Sequence, residues 1–445
     1  MQEKFESTII ILSAGNGERM NLSLPKVLHE VGCQLLIEYV LKLSMTISSD
    51  VSDIYMVISK NLKENKHFKG IHNQYAFKQI IQEKKLGTGD AVKIAYNHIK
   101  DLKELVLVLY GDTPFIKPKT IHDMLQQIVS GAELSIVGFN AKNPTGYGRI
   151  ISLDTNKAVE IVEDKEASQE QKNISLCNSG IMLMKKETLS DFLGDNDQCT
   201  DTNEFCLTDI VKHITERDKA CTYVMADEEE VMGVNDRKQL AVAEEYVQKI
   251  TTKNMMEKGA TVIKPETSYF AVDIEVSPDV TIYSNVFIGR NTTIMNGAKI
   301  HSFSYIEGAL IEEGAVIGPF ARIRPTTKIG KKSKIGNFVE VKNSILMEGV
   351  KAGHLSYIGD ATICDDVNIG AGTVFCNYDG KYKHHSEVGE KSFIGSNTSI
   401  ISPVTIKSKA TVAAGSVITK NVEKNDLAIA RSKQINLKNK SKVKS

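Results

Sequence analysis

Residues 388–418 read VGEKSFIGSNTSIISPVTIKSKATVAAGSVI, in which Val388, Ile394, Ile400, Ile406, Val412 and Ile418 stand six apart. The same step runs through Val276, Ile282, Ile288, Ile294, Ile300 and Ile306, then through Ile311, Ile317, Ile323, Ile329, Ile335 and Val341. An α-helix repeats at about 3.6 residues and a strand at about two, so neither produces this step. A parallel β-helix does: each short strand points one aliphatic side chain inward and the chain then turns a corner. Glycine and proline at Gly289, Gly318-Pro319, Gly330, Gly336, Gly370 and Gly395 are expected to make those corners.

The register slips in places. Ile306 to Ile311 is a step of five, and from Val341 the step survives through Leu346, Ala352, Ile358 and Ile363. Phe375 to Val388 is thirteen, so residues 377–385 (NYDGKYKHH) are expected to leave the coil as a loop. Loops on a rigid scaffold often carry function.

The N-terminal part has another pattern. Residues 8–12 are a β-branched and aliphatic run that ends in Ser13-Ala14-Gly15-Asn16-Gly17. Apolar runs at 54–58, 105–109 and 134–137 alternate with helix-like segments such as 35–47 and 120–130. That alternation predicts a mainly parallel sheet covered on both faces. Residues 237–258 lack glycine and proline and predict one long exposed helix, an arm between domains, ended by Gly259.

Lysine plus arginine balances aspartate plus glutamate at 55 each, which argues against nucleic-acid binding. The last residues, with Arg431, Lys433, Lys438, Lys440, Lys442 and Lys444, form a basic tail. Seven cysteines without a C-x-x-C pair favour a reducing compartment over disulfides or zinc. No signal peptide and no 18-residue apolar run is present, so the expectation is a cytoplasmic protein without membrane partners.

The turn after the first strand presents bare backbone N–H groups, with Arg19 and Lys26 in reach, and suits a polyphosphate. Its spacing differs from both the dinucleotide fingerprint and the Walker loop. Tyr110-Gly111-Asp112 ends an apolar strand, where open α/β sheets bind ligands, and Asp112 is a candidate Mg²⁺ ligand. Gln82 with Leu86-Gly87-Thr88-Gly89 offers an amide and a bare backbone for a flat base. In the repeat region, His354 follows a glycine at a register break, among Arg324, Lys342, Tyr357 and Asn368. Acyl transfer to an amine needs a base, and histidine serves near neutral pH.

These motifs carry a resemblance over nearly the whole chain. G-x-G-x-R-M…L-P-K, Q-x-x-x-L-G-T-G, Y-G-D, P-T-G-Y-G-R, V-E-x-K, the N-x-G at Asn178 and the G-V-N at Asn235 precede the hexapeptide region in that order. The chain resembles the bacterial bifunctional N-acetylglucosamine-1-phosphate uridyltransferase/glucosamine-1-phosphate acetyltransferases. The resemblance implies a Rossmann-like α/β nucleotidyltransferase domain over 1–237, a linker helix over 238–258 and a left-handed β-helix acetyltransferase domain over 259–445. It implies UTP and acetyl-CoA as co-substrates, Mg²⁺ as cofactor, a homotrimer, and a product used for peptidoglycan and lipopolysaccharide.

The family's residues can then be placed on this sequence. The resemblance puts UTP and UDP-N-acetylglucosamine on Leu12, Ser13, Ala14, Gly15, Lys26, Gln82, Gly87, Thr88, Tyr110, Gly111, Asp112 and Asn235, and the sugar-phosphate side on Gly148, Glu163 and Asn178. It puts the metal on Asp112 and Asn235, and phosphate handling on Arg19 and Lys26. In the second domain it makes His354 the proton acceptor and gives the amino-sugar phosphate to Arg324, Lys342, Tyr357 and Asn368. It gives acetyl-CoA to Ala371, Asn377, Tyr378, Ser396, Ala414 and Arg431. Ser13, Asn16, Glu18, Ser356 and Cys364 depart from the usual family residues.

Two other readings share this build. One is a single-activity sugar-1-phosphate nucleotidyltransferase with a regulatory β-helix, which has no need of His354, Lys342 and Tyr357. The other is a non-catalytic regulatory subunit, which has no need of Arg19, Lys26 and Asp112.

Overall fold

The computed structural model describes residues 4–15, 24–84, 86–154, 156–195, 205–438 and 440. The chain divides into two compact units, Met1–Tyr246 and Val247–Ser445.

The first unit is built on a nine-stranded sheet. Its order is Lys78–Ile81, Ile54–Ile58, Thr8–Ser13, Leu105–Tyr110, Leu176–Lys185, Leu134–Asn140, Cys221–Met225, Lys157–Val162 and Arg149–Asp154. The first four strands pair parallel, as the unbroken apolar runs predict. Leu176–Lys185 then enters antiparallel to both neighbours, so the sheet is mixed rather than mainly parallel. Successive side chains of Thr8–Ser13 serve opposite faces: Ile9 and Ile11 belong to one buried core and Ile10 to the other. Helices Leu36–Ile47 and Pro118–Val129 contribute to the first core, and Thr88–His98 to the second.

The second unit is a left-handed parallel β-helix with three sheets of ten, nine and eight strands. On one sheet Ile282, Ile300, Ile317, Ile335, Ala352, Ile369, Ile394 and Val412 lie in register, coil upon coil, and all are buried. Burying an isoleucine is worth about 1.5–3 kcal/mol, so each coil contributes three such terms to one continuous core. Residues 377–385 leave the coil between strands Val374–Cys376 and Ser386–Val388, and a bridge pairs Tyr378 with Lys383.

The corners are not made as the sequence suggests. Left-handed backbone falls on Asp279, Asn285, Asn291, Lys332, Asp366 and Asn397, among others, and of the six corner glycines, Gly289, Gly318, Gly330, Gly336, Gly370 and Gly395, only Gly318 has positive φ. Gly330, Gly336, Gly370 and Gly395 serve close approach instead. A Cβ on Gly336 would collide with the Gly353 carbonyl, and one on Gly395 with the Ala414 backbone. Asparagine and aspartate tolerate the left-handed region and take many of these corners, while Phe303, Phe320, Phe338 and Lys409 take others and Gly297, Gly314, Gly349, Gly372 and Gly415 serve at further ones.

The helix Arg237–Glu257 is also less exposed than its composition predicts. Ala243 is fully buried within the first unit, and Val247, Thr252 and Met255 are buried within the second. In that second unit the Gln248 side chain accepts from the Phe270 N–H at 2.8 Å and donates to its carbonyl at 2.9 Å.

Gly336→Ala should therefore destabilise the β-helix by about 1–3 kcal/mol in denaturant unfolding. Gly353→Ala, whose Cβ would meet nothing within 4 Å, should stay within about 0.5 kcal/mol of wild type. Equal losses would contradict the close-approach account.

Candidate active sites

At the carboxyl ends of Thr8–Ser13 and Leu105–Tyr110 lies a cavity of about 510 Å³. Leu12, Ser13, Ala14, Gly15, Lys26, Gln82, Gly87, Thr88, Tyr110, Asp112 and Asn235 line it. Gly111 sits behind that lining, packed against Ser13 and Ile37. Open α/β sheets bind ligands at this edge because loops diverge there and leave a crevice.

The Lys26 ammonium bonds to both the Asp112 carboxylate and Oδ1 of Asn235, the latter at 2.9 Å. Two oxygens from distant segments thus converge on one cation. A single carboxylate with a neutral oxygen suits magnesium, which completes its shell with phosphates and water. No group of three or more His, Cys, Asp or Glu stands together as a metal cage among the described residues. Arg19, Asn16 and Glu18 lie outside the described residues.

Gly148, Glu163 and Asn178 form an adjoining group. The Asn178 N–H donates to the Gly148 carbonyl at 2.8 Å, and Glu163 lies beside Gly148 while accepting from Thr208 at 2.9 Å. Asn178 Oδ1 accepts from the Gly180 N–H at 3.1 Å, and Gly180 packs against the Tyr110 ring. Tyr110 therefore joins this group to the cavity. Burial first, and then the Asp112 charge, push its phenol well above the ordinary tyrosine range, so it acts as a neutral donor. Arg149 of the P-T-G-Y-G-R run is 2% exposed and bonds to Asp164 at 2.9 Å and to the Tyr147 carbonyl, which fixes a cavity wall.

On the β-helix, the His354 ring is exposed at the end of strand Lys351–His354. Its Nδ1 is 2.6 Å from Oδ1 of Asn337, the residue in register one coil earlier. With the amide oxygen accepting, Nδ1 carries the proton and Nε2 keeps its lone pair facing outward. Arg324 bonds to Glu340 at 2.9 Å, and Lys342 lies 3.9 Å from Asp360. The Tyr357 hydroxyl closes over Gly359, which pairs with Lys342 across the coils. Asn368 stands one coil above Lys351 on the sheet that carries His354.

Ala371, Ser396 and Ala414, among the acetyl-CoA candidates, form a column at the corner that carries His354, each two residues past an in-register core position. The Ala371 carbonyl accepts from Asn397, Ser396 packs on Gly370, and the Ser396 carbonyl accepts from Gly415. Arg431 donates to the Ala414 carbonyl at 2.7 Å. Asn377 is buried at the base of the inserted loop, whereas Tyr378 is exposed with its hydroxyl on Gly380.

Comparison with known proteins agrees with this architecture. Residues 8–246 match the family model for nucleotidyl transferases, 305–379 that for the GMPPB C-terminal domain, and 387–420 that for the hexapeptide repeat of succinyl-transferase. Bifunctional protein GlmU of Zymomonas mobilis is 42% identical over 96% of this chain and 95% of its own. Those of Wolbachia pipientis and Bartonella quintana are 41% and 37% identical over 96% of this chain, and over 97% and 95% of theirs.

The chain belongs to the bifunctional GlmU family.

Within that GlmU framework several site neighbours escaped the sequence reading. Tyr147 and Ser179 line the cavity, Asn337 holds His354, and Asp360 and Lys383 adjoin Lys342. A 17-residue offset from His354 would have found Asn337, since that is one coil. Lys383 adjoins Lys342; that neighbouring amine first, and then burial, hold the Lys342 ammonium below the ordinary lysine range. No comparable offset finds Lys383, because it lies in the inserted loop.

The Oγ of Ser13 is buried against Gly111 without a hydrogen-bond partner among the described residues. Such a hydroxyl costs about 1–3 kcal/mol. Ser13→Ala should therefore raise the thermal unfolding midpoint of the ligand-free protein; an unchanged or lower midpoint would contradict this.

Proposed function

We propose that the chain makes UDP-N-acetylglucosamine in two steps, one in each unit. The second unit acetylates glucosamine-1-phosphate from acetyl-CoA. The first transfers UMP from UTP to N-acetylglucosamine-1-phosphate and releases pyrophosphate. The product would feed peptidoglycan and lipopolysaccharide synthesis in the cytoplasm. A reducing cytoplasm suits the free cysteines, and among the described residues no helix is long and apolar enough to cross a membrane.

In acetyl transfer, the substrate nitrogen attacks the thioester carbonyl. A carbon–nitrogen bond forms, the carbon–sulfur bond breaks, and the nitrogen's proton passes to Nε2 of His354. Asn337 favours this by holding the other ring nitrogen protonated. Arg324 and Lys342 bind the sugar phosphate, with Tyr357 and Asn368 placing the sugar. The column from Ala371 to Arg431, with Asn377 and Tyr378, takes coenzyme A. The observation that carries the two-reaction reading is this exposed, oriented imidazole at the foot of the column Ala371, Ser396 and Ala414, which a purely regulatory coil has no use for.

In uridylyl transfer, a sugar-phosphate oxygen attacks the α-phosphorus of UTP. Backbone N–H groups of 12–15 cradle the triphosphate, while Gln82, Gly87 and Thr88 receive the base. Gly148, Glu163 and Asn178 bind the acetylated sugar, and Arg19 and Lys26 spread the charge of the leaving pyrophosphate. Magnesium, held by Asp112 and Asn235, would screen the triphosphate. This is catalysis by positioning and electrostatics.

A homotrimer accounts for one exposed feature of the β-helix. Phe303, Phe320 and Phe338 stack on successive coils with ring centroids 4.9 and 5.2 Å apart, and Leu355 extends the ridge. Each of the four is about half exposed or more, which favours burial against another copy.

His354→Ala should lower acetyl transfer by about 100-fold or more and leave uridylyl transfer within about twofold. Asp112→Asn should do the reverse; a variant that stops both reactions while folded would contradict two separate sites. Sedimentation should give a trimer, and Phe320→Lys should shift it toward smaller species. A wild-type monomer would remove the ridge from the account.

A further inference from the structure

We propose that Asp360 is a positioning residue for acetyl transfer, its buried carboxylate tying the Lys342 cation to the base of the loop that carries Asn377 and Tyr378. The inference rests on the acetyltransferase reading above and assigns a role to a residue that touches neither substrate.

Asp360 occupies a left-handed corner, with φ near 50°, between strands Tyr357–Gly359 and Ala361–Ile363. Its carboxylate accepts from Nδ2 of Asn343 at 2.5 Å and from Nδ2 of Asn377, and lies 3.9 Å from the Lys342 ammonium. Asn343 and Lys342 belong to the preceding coil, while Asn377 begins the inserted loop. The backbone repeats the link: the Asp360 N–H donates to the Lys342 carbonyl at 3.0 Å, and its carbonyl accepts from Ser386, where the loop returns. One residue therefore spans both ends of the loop and the cation beneath it.

The charge matters as well as the shape. An isosteric amide would turn an N–H₂ group toward one of two donors and leave that donor unpaired. Two further cations, Lys383 and Arg324, lie close enough to act on the Lys342 ammonium. Glu340 pairs with Arg324, and Asp360 is the carboxylate within ion-pair reach of Lys342 among the described residues. The balance leaves one net positive charge, suited to an anion. Burial opposes ionisation of Asp360, but the two amides and Lys342 hold its carboxyl below the ordinary range. Asp360 in turn supports the protonated form of Lys342 against Lys383, burial and Arg324.

The test uses the full chain and steady-state kinetics of both reactions between about pH 6 and 10. Asp360→Asn should raise KM for glucosamine-1-phosphate and for acetyl-CoA by about tenfold each, with kcat changed less. Without its carboxylate partner Lys342 loses its proton at lower pH, so the alkaline rise in KM for the sugar phosphate should move to lower pH. Uridylyl transfer should be unchanged, which also reports folding. Asn343→Ala loosens the same corner without removing charge and should leave the alkaline limb in place. If Asp360→Asn fails to fold, Asp360→Glu should retain the limb while raising KM for acetyl-CoA. Unchanged KM values in either Asp360 variant, or an equal shift of the limb in Asn343→Ala, would overturn the proposal. If the wild-type chain does not acetylate glucosamine-1-phosphate, the functional reading falls and takes this inference with it. If it does, and Asp360→Asn is normal, only the inference falls.

Discussion

The packing of one aliphatic side chain into the coil interior at every sixth residue constrains the rest of the second unit. Once Ile282, Ile300 and Ile317 must stack, residues 17 or 18 apart become neighbours whatever their chemistry. The outward positions are then free for function. Asn337 meets His354, and Arg324 and Lys342 follow each other up the coil, because the core beneath them leaves no other register. Sites on such rigid strands need little ordering when ligands bind.

The interruptions in that packing are as informative as its regularity. The thirteen-residue step from Phe375 to Val388 expels a loop, and the corner below it is where Asp360, Asn377 and Lys383 gather. A buried carboxylate is costly alone, and here two amides and an ammonium offset that cost. The first unit solves a related problem differently. Lys26 brings its charge to Asp112 and Asn235 from a separate segment, so the sheet edge presents both a cation and cation-binding oxygens.

Much of this was legible in the sequence because it depends on period. The β-helix, its inserted loop and the alternating first unit follow from apolar spacing alone. The family motifs then placed most of the cavity lining, from Leu12 to Asn235. What escaped depends on stacking geometry. The corner glycines were expected to provide left-handed backbone, whereas Gly336 and Gly395 permit close coil contact and Phe338 and Asn397 take the turns. The antiparallel strand Leu176–Lys185 was hidden because its apolar content resembles that of its parallel neighbours. The burial of Ala243, Val247, Thr252 and Met255 in Arg237–Glu257 was hidden by its charged composition.

The central claim is that two reaction centres on one chain act in succession. The most direct measurement is product analysis with glucosamine-1-phosphate, acetyl-CoA, UTP and Mg²⁺, omitting one component at a time. The account predicts UDP-N-acetylglucosamine from the full mixture and N-acetylglucosamine-1-phosphate when UTP is omitted. With acetyl-CoA omitted, UDP-N-acetylglucosamine should form only if acetylated sugar phosphate is supplied. Acetylated sugar phosphate failing to form in the mixture without UTP would contradict the account.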